Sequence, residues 1–336
     1  MKVLCIGDIH YRKDQLLHAS LLSDELISIV EKSDISAVII MGDVLDEMRK
    51  IDMQTLCHAI KFLKRVSSMK YTYLLVGNHD MLNNKQECQD FSPWLWGELW
   101  SIPNLTVVSK PLKVAEYTFC PYLPSGRLIP VLDEKIPNWK ESKIIFGHQE
   151  IKHMKMGAIV STNGDEWLDE YPLLITGHEH THQTIGNKML CVGSSGKPKF
   201  GETAKSVSII TIPEEEANIT NIQEERIFLT SCKKEIIRLP VVEVDSYEIP
   251  ETTTLYKFII TGYKHEIDAL RKNLLKKLND WKRKGHKYVF ETIDEEAAPL
   301  PLGKLVKHKS FLEELYDEIA PKPHLLPYLN HVSRAF

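Results

Sequence analysis

Val3-Leu4-Cys5-Ile6-Gly7-Asp8-Ile9-His10 is a short apolar run, then a glycine, then side chains able to hold a metal ion or a proton. The order returns four times. Val38 to Met41 precedes Gly42-Asp43, Leu74 to Val76 precedes Gly77-Asn78, Ile144 to Phe146 precedes Gly147-His148, and Leu173 to Thr176 precedes Gly177-His178. Apolar runs this short read as strands buried on both faces, and the intervals between them are long enough for helices, so the class is α/β. Open sheets of that class gather their chemistry in the crevice beyond the strand ends. Five polar strand tips should therefore meet at one site. Taken singly, Gly-Asp or Gly-His after a strand is a turn or a helix cap. Five in series, with His10, His79 and His180 beside them, set that bland reading aside.

The surrounding chain fits an ordinary globular protein of about two domains, since 336 residues is roughly twice a typical domain length. Its 43% hydrophobic and 26% charged content excludes a disordered or collagen-like chain. Lys plus Arg number 42 against 46 Asp plus Glu, so any attraction to phosphate must come from local patches rather than net charge. The six cysteines, at positions 5, 57, 88, 120, 191 and 232, show no Cys-x-x-Cys spacing and read as reduced thiols. No apolar run approaches the ~20 residues of a membrane span, and the first apolar run is too short for a secretion signal. A cytoplasmic, non-secreted protein with no membrane association is expected.

The candidate ligands are Asp8, His10, Asp43, Asn78, His148, His178 and His180. They offer oxygen and nitrogen only, with no thiolate, which suits a hydrolytic pair of divalent ions better than a structural zinc. A two-metal hydrolase needs a carboxylate able to bridge both ions, and Asp43 is the natural candidate. Mn²⁺ is the first expectation for the pair, with Mg²⁺, Fe²⁺ or Zn²⁺ as alternatives.

In order and spacing, Gly7 to His10 (GDIH), Gly42 to Asp46 (GDVLD), Gly77 to Asp80 (GNHD), Gly147 to Glu150 (GHQE) and Gly177 to His180 (GHEH) resemble the calcineurin-like metallophosphoesterases. The resemblance spans about residues 1–212 and implies a four-layer metallophosphoesterase sandwich. It implies that Asp8, His10, Asp43 and His180 hold one ion and that Asp43, Asn78, His148 and His178 hold the other. His79 would face the scissile phosphate as the catalytic acid or charge stabiliser. Within the superfamily, Phe119 to Pro124 and Cys191 to Ser195 leading to Lys199 to Glu202 look like SbcD-type recombination nucleases. Ser195 stands where that family often has Pro, and Asp46 is similar to the bacterial and phage members rather than to those that carry His.

Past Ile212 the run Pro213-Glu214-Glu215-Glu216 reads as a boundary, and the charge changes sign. Residues 231–336 carry 18 Lys and Arg against 16 Asp and Glu, whereas residues 1–230 carry 24 against 30. Strand-like Leu255 to Thr261 and Tyr288 to Thr292 flank an amphipathic helix on Ile267, Leu270, Leu274, Leu278 and Trp281; this small β-α-β unit, over 213–293, looks like the capping domain of SbcD-type nucleases. Arg271, Lys272, Lys276 and Lys277 on its solvent side are the candidate DNA contacts, by tracking phosphates without reading sequence. Residues 294–303 read as a Pro-containing linker, and 304–336 as a C-terminal helical tail. Its apolar stripes include Phe311, Leu315, Ile319, Leu326 and Leu329, and the resemblance implies that such a tail grips an SbcC-type, SMC-like ATPase. The Trp94, Trp96, Trp100 cluster reads as core packing, and His58, His153, His182 and His265 as satisfied or exposed histidines.

The expected function is a dinuclear-metal-dependent DNA phosphodiesterase, an exonuclease on duplex ends and an endonuclease on single strands. It would act as a homodimer with the ATPase in end processing, repair or recombination. The alternatives are a small-molecule or nucleotide phosphodiesterase of the same fold, which leaves the basic helix and apolar tail unused, and a non-catalytic scaffold subunit, which leaves the complete ligand set unused.

Overall fold

The computed structural model describes residues 1–46, 51–81, 101–196, 200, 204–231, 233–250 and 254–293. Residues Met1–Thr292 form one compact unit. The linker and tail, including Phe311, Leu315, Ile319, Leu326 and Leu329, and the cluster of Trp94, Trp96 and Trp100, lie outside the described residues.

Two six-stranded sheets stack face to face. The first has the order β14-β13-β1-β2-β3-β4, with β1 (Lys2–Ile6), β2 (Ala37–Ile40), β3 (Tyr71–Leu75), β4 (Leu105–Val108), β13 (Ser206–Thr211) and β14 (Gln223–Phe228). The second is β11-β12-β10-β7-β6-β5, with β5 (Leu112–Val114), β6 (Tyr117–Cys120), β7 (Ile144–Gly147), β10 (Leu173–Thr176), β11 (Gln183–Ile185) and β12 (Met189–Cys191). The central strands of each run parallel, and antiparallel strands close the edges at β13, β14, β5 and β11.

Side-chain alternation along these strands sorts residues into layers. Leu4, Ile6, Val38 and Ile40 face outward onto the helices Leu16–Lys32 and Met53–Met69, packing with Leu22, Leu26, Phe62 and Leu63. Val3, Cys5, Ile39 and Met41 face inward and meet Phe119, Ile144, Phe146, Leu173 and Ile175 of the second sheet. Ile145 and Leu174 face the opposite way, onto the helix Leu128–Lys135 and Trp139. The result is the helix–sheet–sheet–helix sandwich expected, and it explains why the strands read as continuous apolar runs. Asp52 starts the second helix by accepting hydrogen bonds from the N–H groups of Gln54 and Thr55 at 3.1 and 3.2 Å.

A short hairpin joins β8 (Lys155–Met156) to β9 (Ile159–Val160). Past it in the chain, a three-stranded parallel sheet pairs β15 (Lys234–Pro240), β16 (Leu255–Gly262) and β17 (Lys287–Thr292), with the helix Lys264–Arg283 packed on one face. Phe258, Leu274, Leu278 and Trp281 form its own core. The β-α-β unit is therefore present with one more strand than the sequence pattern showed. The boundary at 212 moves. After the acidic turn the chain returns to the first sheet as β14, bonded along its full length to β13, so the sandwich ends near Phe228.

Candidate metal centre

Register aligns the strand ends. Ile6 pairs with Ile40 and Ile40 with Leu74, while Gly147 pairs with Thr176 and Thr176 with Cys191. The loops leaving β1, β2, β3, β7 and β10 therefore start level with one another. Backbone strain marks the site. Asp8, His10, Asp43 and His178 are all non-glycine residues at positive φ, at 30°, 52°, 50° and 79°. Such conformations cost roughly 1–2 kcal/mol each and persist where the surroundings over-determine them. Gly77 shows how tight the loops are: a Cβ there would lie 2.1 Å from Asp43 Oδ1 and 2.3 Å from its nitrogen.

All eight expected site residues converge. His10 Nε2 lies 3.0 Å from His180 Nε2, and Asp8 completes a group of three donors close enough to hold one ion. Asn78 Oδ1 lies 3.0 Å from His148 Nε2 and 2.9 Å from His178 Nδ1, and those two ring nitrogens are 3.3 Å apart. Asp43 Oδ2 stands between the groups, 3.4 Å from His148 Nε2 and 3.8 Å from His10 Nε2. Its Oδ1 is engaged, accepting the His79 N–H at 2.8 Å. The catalytic candidate His79 donates from Nδ1 to the Asp46 carbonyl at 2.7 Å, and its ring meets His10 edge-on at 4.9 Å.

Electrostatics agree with a cation site. Burial works against the Asp43 charge, but the attraction of His148 and the hydrogen bond it makes hold the carboxyl below its usual range. Burial likewise disfavours the His148 imidazolium, yet Asp43 and Asp8 beside it push its pKa up to about 9. For His178, burial and the neighbouring positive His148 act together and bring it down to about 3. Burial raises Asp8.

The residues fit a pair of divalent ions. The donors are oxygen and nitrogen, Asp8 groups both with His10 and His180 and with Asp43 and His148, Asp43 Oδ2 lies between His148 and His10, and the remaining ring nitrogen of His148 donates to the Met41 carbonyl at 2.7 Å. That back-bond leaves Nε2 as the free donor, the usual support for a metal-binding imidazole.

Several residues inside the quoted motifs were given no role by the sequence and have one in the structure. Asp80 is buried and accepts N–H bonds from Gly77 at 3.0 Å, Leu45 at 3.1 Å and Val44 at 3.4 Å, tying the loop after β3 to the loop after β2. Burial and the nearby Asp43 raise its pKa to about 7. Ser195 uses both its backbone N–H and its hydroxyl on the Gly7 carbonyl, at 2.7 and 2.6 Å, so its hydroxyl anchors the first loop where a proline could not. Tyr122 lays its ring 5.6 Å from His178. Asp46 is held below the carboxylate range; burial opposes this, but His10, Arg12 and His79 outweigh it.

The basic helix is less uniform than its sequence. Arg271 lies over the Phe290 ring at 5.3 Å, and Lys277 turns to the Asp245 carbonyl and to Glu248 at 3.7 Å. Asp280 takes Arg283 and Lys284 at 3.1 and 3.2 Å. Arg271, Lys272 and Lys276 are exposed and Lys277 is half-buried. Two of the histidines read as satisfied are so: His58 bonds Ser23 at 2.9 Å and His182 bonds Glu224 at 2.9 Å. Cys5, Cys57, Cys120 and Cys191 are free thiols. Among the described residues, no helix is long and apolar enough to cross a membrane.

Comparison with known proteins agrees with this geometry. The inferred phosphoesterase 078R of Invertebrate iridescent virus 3 is 29% identical over 213 residues, which is 61% of this chain and 60% of that protein. The inferred phosphoesterase 244L of Invertebrate iridescent virus 6 is 31% identical over 288 residues, 81% of this chain and 98% of that protein. The chain thus spans about three-fifths of the first relative and nearly all of the second. The family model described as calcineurin-like phosphoesterase matches residues 1–182, the segment that supplies every candidate ligand, and the chain belongs to that family.

Proposed function

We propose that the chain is a DNA phosphodiesterase, acting as an exonuclease on duplex ends and an endonuclease on single strands, together with an SbcC-type ATPase in end processing, repair or recombination. Phosphoester hydrolysis on a dinuclear metal centre is the family's chemistry. The observation that carries the reading here is the pair of donor groups divided by Asp43. Asp8, His10, Asp43 and His180 would hold one ion and Asp43, Asn78, His148 and His178 the other, with Mn²⁺ the first candidate. Bound divalent ions supply positive charge to the phosphoryl oxygens and bring the pKa of a water nucleophile toward neutrality. His79, held by its Nδ1 bond to the Asp46 carbonyl, has Nε2 left to stabilise charge on the phosphate or to protonate the departing sugar oxygen. Lys272 and Lys276 support a DNA substrate as cations free to track a phosphate backbone.

The test incubates the purified full chain with end-labelled single- and double-stranded DNA and Mn²⁺, with and without the ATPase, against a chromogenic small diester. DNA cleavage abolished by Asp43→Ala is the expected result. The names of both viral relatives stop at phosphoesterase, which makes hydrolysis of a small diester the second reading. Turnover of the small diester much faster than that of DNA would establish it. Truncation after Gly303 separates the partner reading: basal cleavage should survive while co-purification with the ATPase is lost.

A further inference from the structure

Asp46 stands at a junction of three side chains. Its backbone carbonyl accepts from His79 Nδ1 at 2.7 Å, its Oδ1 lies 3.3 Å from His10 Nδ1, and its Oδ2 lies 3.2 Å from Arg12 Nη1. Arg12 is pinned on its other edge, where Nε donates to Asp14 Oδ1 at 3.1 Å. His10 has its own division. Nε2 faces the ligand pocket, 3.0 Å from His180 and 3.8 Å from Asp43, and Nδ1 is a buried nitrogen that makes no hydrogen bond among the described residues and has the Asp46 carboxylate 3.3 Å away.

A carboxylate behind a ligating imidazole fixes the tautomer and ring orientation and makes the opposite nitrogen a better donor. Asp46 could serve His10 or His79 with that carboxylate. His10 has its Nδ1 beside the carboxylate, and a ligand atom of each of His10, Asp46 and His79 lies within 4.8 Å of the others. What separates the two roles is Arg12. Its guanidinium holds Oδ2 and turns Oδ1 toward His10, while His79 is left to the main-chain carbonyl.

We propose that Arg12 is a positioning residue for the metal centre, acting through Asp46 to orient His10. The proposal rests on reading His10 as a metal ligand. The pair is suited to the task because it is shielded: the side chains of His10, Asp46 and Arg12 are 2%, 18% and 30% exposed. An exposed pair at the same distance would be screened and would impose little geometry. Lysine at position 12 would keep the charge but lose the planar fork that engages Asp14 and Asp46 together.

The experiment uses the full chain, wild type and with Arg12→Ala, Arg12→Lys and Asp46→Asn. Mn²⁺ is titrated into metal-free protein by calorimetry, the His10 tautomer is read by ¹⁵N NMR in the metal-free state, and kcat and KM are measured on a small diester. Arg12→Ala should weaken one of two ions by roughly 10–100-fold, the usual cost of losing such a support, and shift the His10 ring signals. KM should stay near wild type while kcat falls, Asp46→Asn should behave alike, and Arg12→Lys should recover part of the loss. Unchanged metal affinity with a raised KM would overturn the proposal, because Arg12 would then be touching substrate. A third bound ion in wild type would overturn it too, by making Asp46 a ligand. Should Arg12→Ala fail to fold, Arg12→Gln preserves the side-chain length and is read in the same way. A wild-type chain that binds no ion would defeat the functional reading instead, and the metal-free His10 signals would still report on the relay.

Discussion

Replacing Gly77 with alanine adds one methyl group at a tightly packed point of the site, directly against Asp43. That carbon would lie 2.1 Å from Asp43 Oδ1 and 2.3 Å from the Asp43 nitrogen, where ordinary contact begins near 3.4 Å. The carboxylate or the strand tip must then move by more than an ångström. Overpacking of that kind costs about 1–3 kcal/mol. The same shift breaks the bond from the His79 N–H to Oδ1, now 2.8 Å, and a hydrogen bond to a charged group contributes about 1.5–3 kcal/mol. Together these give roughly 2.5–6 kcal/mol, a large part of the ~5–15 kcal/mol by which a typical protein is stable. At ~2–4 °C per kcal/mol for a large domain, melting should fall by on the order of 10 °C. Scanning calorimetry in chelator reads the stability, and Mn²⁺ titration reads the site, where Gly77→Ala should bind fewer than two ions. Gly157→Ala is the control: φ is +64° but nothing lies within 4 Å, so only the backbone penalty of ~1–2 kcal/mol applies and both ions should bind. A Gly77→Ala protein that melts with wild type and binds two ions would refute the reasoning.

His79→Asn should lose ~10²–10⁴-fold in kcat while retaining two ions, and metal analysis showing an empty site would merge the roles that the geometry keeps apart. Reversing Lys272 and Lys276 to glutamate should flatten the log-log salt dependence of duplex binding by ~0.9 for each lost phosphate contact; an unchanged slope would make both lysines mere solvated surface. His148, with its pKa pushed up to about 9, must shed its proton to act as a ligand. Metal affinity should therefore climb with pH by up to roughly tenfold per unit and level off near pH 9, which calorimetry in buffers of different ionisation heat checks by counting released protons. Burial alone would raise the Glu25 pKa, but bonds from Ser231 and Thr230 outweigh it and lower the value below 4.5. The stability this contributes is complete above that unfolded-state value and is lost as pH falls through the lower folded one. Glu25→Gln should accordingly flatten the acid limb of the melting-temperature profile below about pH 5, and a limb as steep as wild type would remove Glu25 from it.

The placement of the candidate ligands on strand ends was legible because it rests on short-range pattern. An apolar run buried on both faces and a glycine before a polar tip are properties of a few adjacent residues, and each of the five runs became a strand ending beside the site. The helix of the capping unit was legible for the same reason, since the spacing from Ile267 to Trp281 survives any tertiary arrangement.

What the local pattern could not carry is whatever depends on partners distant in the chain. The acidic turn after Ile212 has the composition of a domain boundary, but β14 returns to β13 because an open sheet edge with unpaired N–H and carbonyl groups is satisfied by another strand. The cations of the capping helix look equivalent in sequence, yet Phe290, Asp245, Glu248 and Asp280 engage some of them and leave Lys272 and Lys276 open. Asp80, only the last letter of a motif in the sequence, is a clasp between two loops. The positive φ of Asp8, His10, Asp43 and His178 is likewise not fixed by the residues themselves, since Asp and His tolerate that region better than most side chains but do not require it. Sequence alone determined which side chains could hold metal and on which strand ends they stand. The tertiary structure decided which atom of each one faces the site, because the closeness of facing loops, and not the chemistry of any single residue, holds those backbones in strained conformations.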